Sequence, residues 1–334
     1  MRSPLLIWVL ALVMSLCTAP RLQAGELRKD WLPANASWVA HLDLEAVSHS
    51  VLGQAAVGWL ENDPRLSPQL RAFQGKYLLH PMRDLRQVTL YGTASARGDM
   101  VAIFVASPAL ASLEARVREH PRHTRQKLEG LELHTWAMGE SSPKAPLLAW
   151  FGASDQEDER LVVLADRADL LVAAVGLVRG GPGSLATAER APLSANPIPG
   201  CTFYLEAGRG LPDLLGRLPD SRVARQARRA RVMLGETQGR AWARVRIATG
   251  SRANARDVAD VLRGGLGLLR VGLRGGLSPE LALRVDQVRV EEHQKDVLLG
   301  FEGRAAALAF ELAGAIQRWP SLESEAAPED VESK

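Results

Sequence analysis

The residues best equipped for chemistry in this 334-residue chain lie near its start. His41 and Asp43 are two positions apart in SWVAHLDL (Ser37 to Leu44), whose alternation predicts a strand, so both side chains leave the same face. A His-x-Asp pair at that spacing supplies two metal ligands or an oriented general base. His49, on the helix expected next, is the nearest third group. Together they suggest a hydrolase or metal-dependent enzyme built on that strand end. The competing reading is structural. Tyr204 and Glu206 hold the matching places in a later strand, CTFYLEA (Cys201 to Ala207), so only the acid recurs. An acid at a strand end before a helix caps that helix.

A second concentration of function-bearing groups is cationic. Arg217, Arg222, Arg225, Arg228, Arg229 and Arg231 are opposed only by Asp220. The segment from Leu211 to Leu234 reads as helical, which lines 222, 225 and 229 along one side as a seat for phosphate, anionic lipid or an acidic polymer. Composition argues for a plainer account. Only six of the 41 basic residues are lysine, so arginine clusters arise on ordinary solvated faces. His120 and His123 flank Pro121-Arg122, and the proline spoils the i, i+4 spacing of paired helical ligands, leaving a helix-ending turn. Cys201, on an apolar strand, reads as a small buried hydrophobe. Arg97-Gly98-Asp99 spells an adhesion tripeptide where a hairpin tip requires turn residues anyway.

The familiar catalytic signatures are absent. Gly264-Gly265-Leu266-Gly267 lies within a helical pattern instead of between strand and helix. There is no Gly-x-Ser-x-Gly elbow, His-Glu-x-x-His, phosphate loop or paired CxxC. The sequence therefore assigns no catalytic, cofactor-binding or metal-binding residue. A formal charge of +3 excludes a whole-chain polycation, and nucleic acid is not an expected partner.

These groups are positioned by elements that the apolar pattern outlines. Residues 1–24 have the form of a secretory signal: Met1-Arg2, an uncharged run from Leu5 to Ala19, and a small residue at Ala24. Export to the periplasm or beyond is expected, with Cys201 then the sole cysteine and no disulfide within the chain. No later run is long and apolar enough to span a membrane. Strands are expected at 85–93, 99–107, 131–137, 147–153 and 161–165, with a helix from Ala168 to Val178. Val47, Val51, Ala55 and Trp59 form a four-residue stripe on an earlier helix. Gly, Pro, Ser and Ala dominate residues 181–199, which reads as a linker. Beyond it the order begins again: SWVAHLDL lies over GCTFYLEA, and LADRADLLVAAV over FEGRAAALAFEL.

The expected fold is α+β, with two related halves at 25–180 and 200–320. Each would be a mainly antiparallel sheet with helices packed on one face. Residues 321–334 would form a disordered acidic tail.

Three segments, LPANASWVAHLDLEAV, LVVLADRADLLVAAVGLVRGGPGSL and RVMLGETQGRAWARVRIAT, resemble a family of uncharacterised exported bacterial proteins of planctomycete-like genomes. That resemblance implies export and a duplicated α+β fold, and carries over no functional residue. The function expected is a non-catalytic binding or structural module of the cell envelope, acting on a protein or envelope component. The alternatives are the His41/Asp43 enzyme and an anion-binding module through the Arg217–Arg231 helix.

Overall fold

A computed structural model describes residues 27–64, 66–77, 79–93, 99–136, 147–154, 158–208, 226–272 and 283–318. The proposed signal segment, the acidic tail, Arg97, Gly98, Arg217, Arg222 and Arg225 lie outside them. The chain is α+β.

After a short 3-10 turn (Lys29–Trp31), strand β1 (Trp38–Asp43) runs into helices α1 (Leu44–Ser48) and α2 (Val51–Asn62). The four-residue stripe expected for one helix is divided between these two. Val47 is fully buried on α1, whereas Val51 is exposed and Leu52 turns inward on α2. The break is stabilised by Ser50, whose hydroxyl accepts from the Gly53 amide at 2.8 Å and starts a new helix. Then come α3 (Ser67–Tyr77), α4 (Pro81–Asp84), the hairpin β2 (Leu85–Gly92) and β3 (Met100–Ala106), and α5 (Leu110–Arg118). Strands β4 (Thr124–Leu128), β5 (Leu131–Trp136), β6 (Leu147–Ala153) and β7 (Arg160–Ala165) lead into α6 (Ala168–Val178). The remaining elements are β8 (Cys201–Ala207), β9 (Ala227–Thr237), β10 (Arg240–Thr249), α7 (Arg252–Gly272), β11 (Arg289–His293), β12 (Asp296–Arg304) and α8 (Ala305–Arg318).

The twelve strands among the described residues join one sheet in the order β11-β12-β10-β9-β8-β1-β2-β3-β7-β6-β5-β4. Each recorded pair is antiparallel. The seam between the first and second parts of the chain is the β1–β8 pair, which sets Val39 opposite Glu206 and His41 opposite Tyr204.

Helices cover both faces of the first part, where one face was expected. Leu171, Ala174 and Val175 of α6 pack with Trp31 and Leu32 on Val39, Ile103 and Val163. The opposite face is covered by α1 and α4 around Leu42, Val47 and Met82, and by α5 through Leu110 and Val117. The reason lies in the strands: β3 and β7 bury apolar side chains of both parities, so neither face is left for water. In the second part, α7 and α8 lie on the same face as α1, over Ile247, Val297 and Ala241. On the other face of β10, Arg244 and Arg246 are exposed.

Residues 181–199 are packed against the sheet. Leu185, Leu193 and Ala195 are buried in the main core, and Pro33 bridges to Ser184. A segment poor in regular structure is held here by burial and by side-chain hydrogen bonds to its backbone, as buried amides require.

Candidate functional site

The polar groups of β1 and β8 project onto the face covered by α6 and the 181–199 segment. His41 is 4% exposed and its Nδ1 lies 2.8 Å from the Thr89 hydroxyl on β2, directly across the pair. Asp43 is completely buried, and its Oδ1 accepts from the Ala46 amide at 2.8 Å, making it the N-cap of α1. His49 does not approach either residue. It is exposed, and its Nδ1–H donates to the Glu45 carbonyl one helical turn back at 2.7 Å. The proposed triad is therefore not assembled, because the α1–α2 break turns His49 outward.

Across the seam, Glu206 is wholly buried and forms the centre of a denser network. Its carboxylate accepts from the Tyr204 hydroxyl at 2.6 Å, the Ala195 amide at 2.8 Å and the Ser194 amide at 3.1 Å. Arg231, opposite it on β9, donates at 3.0 Å, and Arg229 stands 3.7 Å away. Burial pushes the Glu206 carboxyl toward the neutral form, but the hydroxyl, amide and guanidinium donors together hold it below the usual range. Tyr204 is shifted upward by burial and by its bond to Glu206, so it stays a donor. Glu206 thus fixes the 181–199 segment to the sheet; it is not a helix cap like Asp43.

A β-bulge between Cys201 and Phe203 inserts an extra residue, so Cys201 and Tyr204 share the core face. Cys201 is buried, with its Sγ bonded to the Phe203 carbonyl.

The arginine cluster requires correction. Arg228, Arg229 and Arg231 lie on strand β9 and not on a helix. Residues 227–237 pair with β10, and residues 230–235 also pair with β8, and this pairing overrides the helical spacing in the sequence. Arg229 and Arg231 turn to the same side, toward Glu206, where their charge is used internally. No described part of an arginine-faced helix remains to seat an anion.

One pair escaped the sequence reading. His123 Nε2 lies 3.0 Å from Nδ1 of His134 on β5, which is 2% exposed and edge-on to Phe151. Burial first, and His123 second, lower the His134 pKa. The signal available was His134 itself, in LELHTWA, but nothing in spacing connects it to His123. His120 bonds locally, its Nδ1 accepting from the Arg122 amide, as a turn demands. Asp99, the described residue of the adhesion-like tripeptide, pairs with Arg167 at 3.0 Å.

Among the described residues, no group of three or more His, Cys, Asp or Glu is arranged to hold a metal ion. Nor is any described helix long and apolar enough to cross a membrane.

No protein-family profile matches the chain, and no curated protein matches it. Solved structures similar to it include three crystal forms of TP0453, a spirochete protein. Form III has a TM-score of 0.45 at 10% identity, covering 87% of this chain and 100% of that one. Form I has 0.41 at 9%, with 88% and 99% covered. Form IV has 0.41 at 9%, with 84% and 96% covered.

Proposed function

We propose that this protein is an exported, non-catalytic binding or structural module of the cell envelope, built from two related halves and akin to the planctomycete-like family. One observation carries the reading: the side chains most suited to catalysis are buried and engaged with their own chain. His41 meets Thr89, Asp43 caps α1, and Glu206 is surrounded by Tyr204, Ser194, Ala195 and Arg231. A nucleophile, base or ligand must reach its substrate, and all three of these groups are buried, Glu206 beneath the 181–199 segment.

Kinship of the halves is supported by strand order. Outward from the seam, β1-β2-β3-β7 is mirrored by β8-β9-β10-β12, and a helix follows the fourth strand on each side. Export is supported by the character of residues 1–24.

The test has two arms. Fusing residues 1–24 to a reporter active only outside the cytoplasm should give activity, and a silent fusion would refute export. Purified protein should turn over no generic ester, phosphate or peptide substrate. Turnover that disappears in His41→Gln while the fold persists would overturn the non-catalytic reading in favour of the His41/Asp43 enzyme.

A further inference from the structure

His123 and His134 meet far along the sheet from the β1–β8 seam. Their nearest nitrogens are 3.0 Å apart and the ring planes differ by only 23°. The ring centroids are 5.2 Å apart, close to that nitrogen separation plus one ring radius at each end. His123 Nε2 and His134 Nδ1 therefore lie on the line between the rings, and their in-plane lone-pair directions oppose each other head-on.

The surroundings fix which nitrogen of His134 is free. Glu132 stands 3.5 Å from His134 Nε2 and draws the ring proton to that side, leaving Nδ1 with its lone pair. A carboxylate behind the distal nitrogen is the usual orienting device for a ligating histidine. Pairing with Arg125 on β4 and Ala149 on β6 anchors His134, and Phe151 packs edge-on against its ring. His123 is half-buried in the turn after α5, so it is the ring that can give way.

This geometry discriminates among cations. Tetrahedral zinc needs nitrogens that converge on it at a bent angle, with further ligands to complete the shell. Among the described residues no third histidine, cysteine or carboxylate joins the pair in such a group. Opposed lone pairs instead fit a two-coordinate ion placed on the line between them. With metal–nitrogen bonds of about 2 Å, insertion opens the pair by about 1 Å, a shift the turn at His123 can supply. Charge agrees with this. Glu114 and Glu132 are offset by Arg118 and Arg125, so the surroundings are neutral and better suited to one positive charge than to two.

We propose that His123 and His134 bind one soft monovalent cation, copper(I) or silver(I), in linear two-nitrogen coordination. The proton on His123 Nε2 passes through solvent to its own Nδ1, so both rings stay neutral and the ion brings the only new charge. The site is independent of the partner-binding reading above, and either can fail without the other.

The test is calorimetric titration with silver(I) nitrate in chloride-free buffer, on the full chain carrying Cys17→Ser and Cys201→Ser to remove its thiols. One equivalent should bind, and His123→Phe and His134→Phe should each weaken it at least a hundredfold with an unchanged circular dichroism spectrum. Should His134→Phe unfold, His123→Phe makes the same test from the half-buried side. Should the serine variant unfold, the wild-type chain should lose one equivalent of silver in His123→Phe. X-ray absorption of the copper(I) form, prepared without oxygen, should show two nitrogen neighbours and no sulfur. Absence of saturable binding would overturn the proposal. So would silver binding insensitive to His123→Phe, sulfur bound to the copper, or zinc(II) held more tightly than silver(I).

Discussion

His123 and His134 face each other ring nitrogen to ring nitrogen at 3.0 Å, joining the turn after α5 to the buried side of β5. The bond needs an N–H on one ring, which can be neutral or protonated, and an unprotonated nitrogen on the other, so two protonated imidazoles would separate. Glu132 and Glu114 favour protonation of His134, but burial, His123 and Arg118 outweigh them.

Because its folded pKa is depressed, His134 adds stability above its unfolded value near 6.5 that is lost as pH falls through the folded value. This contribution, read as the difference in melting temperature between the wild type and a His134→Phe variant, should therefore shrink as pH falls from 7 to 5. Phenylalanine suits a site already edge-on to Phe151.

Glu236 has the opposite sign. It is 1% exposed on β9, and neither carboxylate oxygen has a hydrogen-bond partner among the described residues. Burial raises its pKa from 4.5 to about 7. The unfolded chain ionises first, so stability falls as pH rises from 4.5 to about 7 and then levels, a loss on the order of 3 kcal/mol. The Glu236→Gln variant should therefore gain stability relative to the wild type between pH 5 and pH 8, read from urea midpoints.

Arg231→Met leaves the buried Glu206 without its closest cation and should cost about 3–5 kcal/mol. The double variant Arg231→Met/Glu206→Gln should recover part of that loss. Denaturant unfolding of the four proteins in the cycle measures the coupling, and simple additivity would show that the pair does not hold the 181–199 segment.

Asp43→Ala should cost about 1 kcal/mol through the lost cap of α1, and Asp43→Ser should retain most of it. Equilibrium denaturation distinguishes a cap from a group with no local role, for which serine and alanine would behave alike.

Much of the strand framework was legible because β3, β7, β8 and β10 carry strong apolar runs or alternation. The β4 strand was not: TRQKL is exposed at every position, so no burial pattern marks it, and only pairing with β5 makes it a strand. The β9 arginines misled for a related reason. Their spacing suits a helix face, and only the sheet partners on either side decide the matter. Asp43 as a cap could be read locally. The Glu206 centre could not, since its partners come from Ser194, Ala195 and Arg231, which converge only when the seam closes.

That seam has a consequence for biogenesis. The first described strand lies mid-sheet and waits for a neighbour made nearly half a chain later. During synthesis the leading half must travel with one flank open, its His41 row uncovered on the side that Tyr204 will occupy. A nascent chain in that condition invites a chaperone, and premature arrest should yield a sticky fragment rather than a smaller working lobe.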